Sequence, residues 1–253
     1  SSLELLSCGG APLNRATVIQ AMDVFGCEFF LSYGMTECCG KISMSLLSEQ
    51  VQALSTEEQL NYVCSSGRPF GLIKLRVVDA AGRDVPWNGK TVGEVLIRGR
   101  TVFNGYWQND KANKESFMDG WFKTGDVAFV DKRGYLTITD RMKDMILTGS
   151  ENVYSVEVER VCHDHPAVKH ACVYGIPNAA LGELVKAVVV LQPEAQLKAR
   201  ELQRHCAKTL ADYKVPRVVE FLAAAQLPMT GSGKIAKNDL KKRDAERAKA
   251  RAG

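Results

Sequence analysis

The stretch KTGDVAFVDKRGYLTITDRMKDMILTGSENVYSVEVE, residues 123–159, limits the architecture more than any other part of the 253-residue chain. It opens on a tight turn that ends in an acid, Thr124-Gly125-Asp126, followed by a strand over Val127 to Val130 and a turn at Asp131 to Gly134. A second strand is predicted from Tyr135 to Thr139, where apolar and threonine residues alternate. It runs into an ionic cluster, Asp140-Arg141-Met142-Lys143-Asp144, and then a glycine turn, Thr148-Gly149-Ser150. Behind that turn a helical pattern opens at Asn152–Val153, with Val153, Val156, Val158 and Val161 among acids. Strands, a charged joint, a glycine turn and a helix in so few residues predict a junction between two bodies, with polar groups placed to hold a ligand.

Upstream, Leu3 to Ser7 reads as a strand, Cys8 to Pro12 as a sharp turn, and Val18, Ile19, Met22 and Phe25 as the apolar positions of a helix that Asn14 can cap. Glu28 to Tyr33 is the next strand. Strand, helix, strand at this length is a βαβ unit, and ligands in such sheets sit beyond the carboxyl ends of strands, where Gly9–Pro12 and Tyr33–Glu37 fall. Residues 48–70 read as loop with a weak helix. Short strands follow at Ile73–Asp79 and Gly93–Arg98, separated by Gly- and Asp-rich turns. Past Arg141 the pattern is a helix at 153–164, strands at Val168–Ile176 and Leu184–Leu191, a helix at Lys198–Leu210, a strand at Arg217–Leu222 and a charged terminal helix. The fold class is therefore a multidomain mixture of α/β and α+β: residues 1–71 as the end of a βαβ domain, 72–140 as a small β-rich subdomain, and 141–253 as a compact α+β domain of its own.

Apolar content of 45% with 25% charged residues is that of an ordinary globular chain, and no run of eighteen apolar residues offers a membrane span. The net charge of +4 is local, because residues 237–251 hold seven Lys/Arg against three Asp/Glu. That basic helix reads as a solvated face rather than a nucleic-acid patch. The eight cysteines form no C-x-x-C pair and read as reduced core residues of an intracellular protein. Ser1-Ser2-Leu3 starts directly on a strand without a methionine, so the chain is expected to be a fragment. Cytoplasm is the default location, and Arg251-Ala252-Gly253 is not a peroxisomal signal.

Tyr33-Gly34-Met35-Thr36-Glu37 combines a ring that can stack on a base, a glycine that lets backbone approach phosphate, a hydroxyl, and a carboxylate able to hold Mg²⁺. Taken alone it reads more readily as a plain turn than as a ligand site. The Asp126 carboxylate has acceptor capacity for both hydroxyls of a ribose, or it closes an Asx turn. Lys143 by itself reads as a surface lysine paired with Asp140 or Asp144. Pro228-Met229-Thr230-Gly231-Ser232-Gly233-Lys234 is not a Walker A loop, since Pro228 stands at the first glycine and Ile235 at the Ser/Thr. His163-Asp164-His165 ends a helix without a third metal ligand nearby. No G-x-S-x-G elbow occurs.

In this order the motifs resemble the adenylate-forming superfamily of acyl-CoA synthetases, peptide-synthetase adenylation domains and beetle luciferases, and are most like the C-terminal portion of a fatty-acyl- or aryl-CoA ligase. The resemblance implies an ATP-dependent acid–thiol ligase that makes an acyl-adenylate with pyrophosphate release and then passes the acyl group to CoA, with residues 1–71 as the end of a βαβ nucleotide-binding domain and 141–253 as a mobile α+β lid domain. It assigns ATP/AMP binding to Gly9, Gly10, Ala11, Pro12, Ser32, Tyr33, Gly34, Met35, Thr36, Glu37, Asp126, Arg141 and Lys234. Within that set Asp126 and Arg141 serve the ribose and Glu37 the magnesium. Lys234, Thr36 and Glu37 are the implied catalytic residues, Lys143 the implied hinge, and Gly149, Ser150 and Glu151 the implied CoA contacts. Cys38, Cys39 and Gly40 are candidates for the acyl pocket.

The chain departs from many relatives at Ser150, where they have Gly, and at Ser155, where they have Pro. The family's Ser/Thr/Gly-rich phosphate loop is not among these residues, so the chain alone is expected to form adenylate poorly. Expected partners are a small carboxylic acid, ATP and CoA, with no nucleic acid. The competing readings are an enzyme that loads a carrier protein, a luciferase-like oxidase, and a non-catalytic nucleotide-binding module.

Overall fold

The computed structural model describes residues 2–10, 13, 15–231 and 234–252; Ala11, Pro12, the capping candidate Asn14, and Ser232 and Gly233 lie outside the described residues. The chain divides into two compact units, Ser1–Met142 and Lys143–Gly253.

The first unit opens with β1 (Leu5–Gly9), α1 (Arg15–Phe25) and β2 (Glu28–Met35), and β1 pairs β2 in parallel from Leu5↔Glu28 to Gly9↔Ser32. The βαβ reading holds. Val18 of the helix is buried against Phe29 and Leu31 of β2 and against Val63, the core that a helix stripe packed on a sheet face requires. β3 (Gly40–Met44), α2 (Glu49–Gln52), α3 (Thr56–Val63) and β4 (Arg68–Pro69) follow, giving a mixed sheet of order β1-β2-β3-β4 in which β3 and β4 are antiparallel additions. The weak helix predicted in this region is two helices. The second is fixed by a capping box in which the Ser55 hydroxyl accepts from Glu58 N and Ser55 N donates to the Glu58 carboxylate.

A second, antiparallel sheet is built from β5 (Ile73–Val78) and β6 (Gly93–Gly99), then, after α4 (Asp110–Ser116), from β7 (Phe117–Met118), β8 (Trp121–Val130) and β9 (Leu136–Arg141). Val77, Val95, Ile97, Phe122, Ala128 and Leu136 form its buried face, and Cys38 and Ile42 belong to the same cluster, so the first two sheets share one core.

Thr124-Gly125-Asp126, expected as a turn ahead of a strand, lies inside the ten-residue β8. Glu94 pairs with Val127 while Leu96 pairs with Lys123, so three residues of β8 face one of β6. The triplet is a β-bulge, with Gly125 at φ +72°, and bulges re-aim side chains and raise local twist.

In the second unit, β10 (Ile146–Thr148) and β11 (Glu151–Val153) form a hairpin ahead of α5 (Ser155–His163). Thus the helix expected to open at Asn152–Val153 starts later, because those residues are strand. The two-residue loop Gly149-Ser150 has positive φ at both positions, +57° and +69°, the type I′ geometry that matches the twist of the flanking strands. β12 (Val168–Asn178), β13 (Gly182–Leu191), α6 (Ala199–Ala207), β14 (Val218–Phe221) and α7 (Lys237–Ala252) complete the unit, with sheet order β11-β10-β13-β12 and β14 parallel to β13.

Successive side chains on β12 point to opposite faces. Ala171 and Val173 pack with Val158 and Val161 of α5 and Leu202 of α6. Cys172 and Tyr174 pack with Leu240 of α7. The sheet is therefore covered on both sides. No helix among the described residues is long and apolar enough to cross a membrane.

Candidate active site

Asp126 is the point on which the first unit's polar groups converge. Its bulge is held by the Thr124 hydroxyl, which donates to Val95 O at 2.9 Å and accepts from Asp126 N at 3.1 Å. The carboxylate is 4% exposed. Oδ2 accepts from the Tyr33 hydroxyl at 2.6 Å, and Oδ1 lies 3.2 Å from Arg141 Nε. Arg141 stands directly opposite on β9.

Two motifs far apart in sequence, the Tyr33 pentapeptide and the joint around residue 141, thus meet on one carboxylate. Burial holds the Asp126 carboxyl above the usual aspartate range, and the Tyr33 hydrogen bond and the Arg141 charge only partly offset that. Burial and the Asp126 charge push the Tyr33 hydroxyl well above its ordinary value, so it remains a donor. Each Asp126 oxygen accepts one bond, and a carboxylate has about four lone-pair sites, so acceptor capacity is left for further hydroxyls.

Around the carboxyl end of β1, a cavity of about 760 Å³ is lined by Ser7, Gly9, Gly10, Ser32, Met35, Thr36 and their neighbours. Gly34 also lines it, and a methyl group there would overlap the Gly40 carbonyl across the β2–β3 pair. Glycine is required at that position because two backbones approach too closely for any side chain. Thr36 opens a single helical turn, Thr36–Cys38, and is exposed.

The Glu37 carboxylate accepts from the Tyr106 hydroxyl at 3.0 Å, while Phe103 N donates to Glu37 O at 2.8 Å. Tyr106 is held in turn by Asn113, whose side chain accepts from Tyr106 N and donates to Tyr106 O. The sequence reading missed Tyr106; its only signal was an aromatic residue following a glycine in a loop. Asp140, read only as part of an ionic cluster, is 4% exposed and accepts from Arg141 N at 2.7 Å, fixing the backbone that carries Arg141.

In the second unit, Lys143 lies in the helical turn Met142–Asp144 and is exposed. Gly149 and Ser150 are the exposed tip of the β10–β11 hairpin and Glu151 begins β11; Gly149 N donates to Leu181 O at 2.9 Å. Lys234 closes a loop in which Thr230 N donates to Lys234 O at 2.6 Å and the Thr230 hydroxyl accepts from Lys234 N at 3.1 Å. Its side chain is exposed, presenting a cation at the loop's end.

The histidines have structural partners: His163 Nδ1 lies 2.8 Å from Glu159 O, and Ala171 N donates to His163 Nε2 at 3.3 Å. Among the described residues no group of three or more His, Cys, Asp or Glu is placed to hold a metal. All eight thiols are free, with Cys162 and Cys206 in buried contact at 3.8 Å. Burial pushes the Cys172 thiol up to about 12, which leaves it protonated and unreactive at neutral pH.

A parallel strand pair with a ligand-sized cavity at its carboxyl end, where α/β sheets hold their ligands, and a Tyr–Asp–Arg constellation centred on a buried carboxylate place the first unit in the α/β class. The family described as AMP-binding enzyme matches residues 1–107, and its AMP-binding enzyme C-terminal domain matches residues 157–234. 4-Hydroxybutyrate–CoA ligase 2 of Metallosphaera sedula is 39% identical over 239 residues, covering 94% of this chain and 43% of the relative. Feruloyl-CoA synthase of Amycolatopsis sp is 39% identical over 243 residues, covering 96% and 47%. Among solved structures, the amide bond synthetase of Marinactinospora thermotolerans superposes with a TM-score of 0.83 at 32% identity, over 95% of this chain and 47% of the other. The o-succinylbenzoate CoA synthetase of Bacillus subtilis, in complex with an acyl-adenylate intermediate, gives 0.80 at 33% identity, over 95% and 46%. The chain belongs to the adenylate-forming superfamily of AMP-binding enzymes. It spans less than half the length of these relatives.

Proposed function

We propose that the protein containing this chain is an AMP-forming acid–thiol ligase: a carboxylate attacks the α-phosphate of ATP, pyrophosphate leaves, and CoA thiolate then displaces AMP from the acyl-adenylate. The observation that carries this reading is the convergence of Tyr33 and Arg141 on the buried Asp126 carboxylate. In the proposal the remaining lone pairs of Asp126 accept the ribose hydroxyls. Thr36 donates to a phosphate oxygen, Gly9, Gly10 and Gly34 keep the floor low enough for a nucleotide, and Ser32 and Met35 line it. Mg²⁺ would be held by Glu37, positioned by Tyr106, with substrate phosphates completing an oxygen shell, and it would neutralise phosphate charge.

Lys234 is assigned the charge developing at the attacked phosphate, where a positioned cation lowers the barrier most. Lys143 is the assigned pivot between half-reactions, and the Gly149-Ser150 tip with Glu151 the surface against which the CoA arm lies. An amine acceptor is the second reading, favoured by the likeness to an amide bond synthetase. The discriminating experiment follows AMP release from a preformed adenylate with CoA, a carrier-protein thiol or a simple amine as acceptor. CoA-dependent release giving a thioester is expected; release only with the amine overturns the CoA assignment.

A further inference from the structure

The cavity at the end of β1 holds one charged side chain that the nucleotide assignments do not use. Lys41 is the only charged residue among the described residues lining it, and no carboxylate lines it. Its Nζ lies 3.2 Å from the Ser7 hydroxyl and 5.2 Å from the centre of the Phe30 ring. Lys41 forms none of the salt bridges seen among the described residues.

The Lys41 backbone pairs with Gly34 beside the phosphate motif, but its ammonium reaches back to the Ser7–Phe30 row. Ser7 pairs with Phe30, and Gly9 pairs with Ser32 two residues further along the parallel strands. At the rise of a strand, the Ser7–Phe30 row lies roughly 7 Å back from the Gly9–Ser32 row. Thr36 and Glu37 follow the end of β2, in the other direction from that row. A ligand whose reacting carboxyl lies at Thr36 and whose far end runs towards Ser7 would meet a cation that has no anionic partner among the described residues.

We propose that Lys41 reads a second anionic group at the far end of the acid, so that the preferred substrate class is a dicarboxylic acid. The inference rests on the acid-activating function proposed above. An ammonium–carboxylate hydrogen bond is directional and charge-assisted, whereas a monocarboxylic acid of equal length would leave the ammonium, among the described residues, with the Ser7 hydroxyl and the face of the Phe30 ring.

The test is calorimetric titration of the chain at low salt with two non-reactive acyl-adenylate analogues of equal length, one ending in methyl and one in carboxylate. The readout is the ratio of their affinities. Lys41 is exposed, so we expect the distal carboxylate to bind about two- to fivefold more tightly, the worth of an exposed ion pair. In Lys41→Met the ratio falls to about one, Lys41→Arg restores most of it, and Lys41→Glu turns it below one. A ratio near one in the unsubstituted chain, or a ratio that Lys41→Met leaves unchanged, overturns the proposal while leaving the acid-activating function standing. Binding of neither analogue would instead remove the adenylate site itself, and the inference with it.

Discussion

Asp126 carries two partners on a carboxylate that water barely reaches. Its pKa, raised by burial, means that acidification protonates it at a higher pH than an ordinary aspartate. Protonation removes the charge facing Arg141 and turns one acceptor oxygen into a donor. Nucleotide affinity is therefore expected to fall as pH drops through this raised pKa, and the fall should vanish in Asp126→Asn, which is already neutral and weaker throughout. Titrating a fluorescent adenosine nucleotide across the acid range measures it; a wild-type profile flat down to the ordinary aspartate range would sink the assignment.

Ser150 offers a stability test at the same scale. Its left-handed backbone costs an L residue ~1–2 kcal/mol, and glycine's extra unfolded-chain entropy gives back about 0.5–1. Ser150→Gly should thus stabilise the second unit by about 0.5 kcal/mol in urea unfolding. The chemistry of these residues was legible in the sequence, because a carboxylate and a glycine-rich turn announce themselves by type. The bulge that aims Asp126 was not. It depends on the register between β6 and β8, which only the pairing of distant strands determines.

At the scale of elements, α7 shows how charge can mislead. Its surplus of Lys and Arg reads as a solvated face, yet the helix buries Leu240 and takes part in an ionic network around the buried Lys186. Lys186 of β13, 6% exposed, donates at 2.6 Å both to Glu220 of β14 and to Asp244 of α7, and the Tyr174 hydroxyl donates to Asp244 at 2.7 Å. Arg243 and Arg247 bind Glu220 from the helix at 3.1 and 2.9 Å. No local pattern could reveal this, since the partners come from four separate elements.

Removing the cation takes one partner from each of two half-buried acids, although Glu220 keeps Arg243 and Arg247 and Asp244 keeps the Tyr174 hydroxyl, so Lys186→Met should cost about 1–3 kcal/mol of stability. Leu240→Ala should cost about 2–4 kcal/mol through the cavity it leaves. Denaturant unfolding compares the two, and a Lys186→Met loss below 1 kcal/mol would mean the network is no anchor. The joint makes a kinetic prediction. Lys143→Pro in an active enzyme should slow thioester formation by at least tenfold more than adenylate formation, because fixing φ at a pivot blocks one of two orientations. Equal effects on both half-reactions, in rapid-quench measurements, would remove Lys143 from that role.

For the whole molecule, the broad order of α/β, β-rich and α+β segments was readable because hydrophobic period and turn residues are local signals. β3 and the β10–β11 hairpin were missed, being three to five residues long, too short for a period to show. Membership of the superfamily rests on likeness along both units, while the activity belongs to a protein of which these residues match under half of the relatives' length.

The most direct measurement is acid-dependent pyrophosphate release from ATP by this chain joined behind the upstream half of the feruloyl-CoA synthase relative, with and without Lys234→Ala. Release that requires an acid, and that drops by about 10²–10³ in Lys234→Ala, is the expected result. A folded, ATP-binding protein that releases no pyrophosphate with any acid, or one indifferent to Lys234→Ala, would contradict the ligase function.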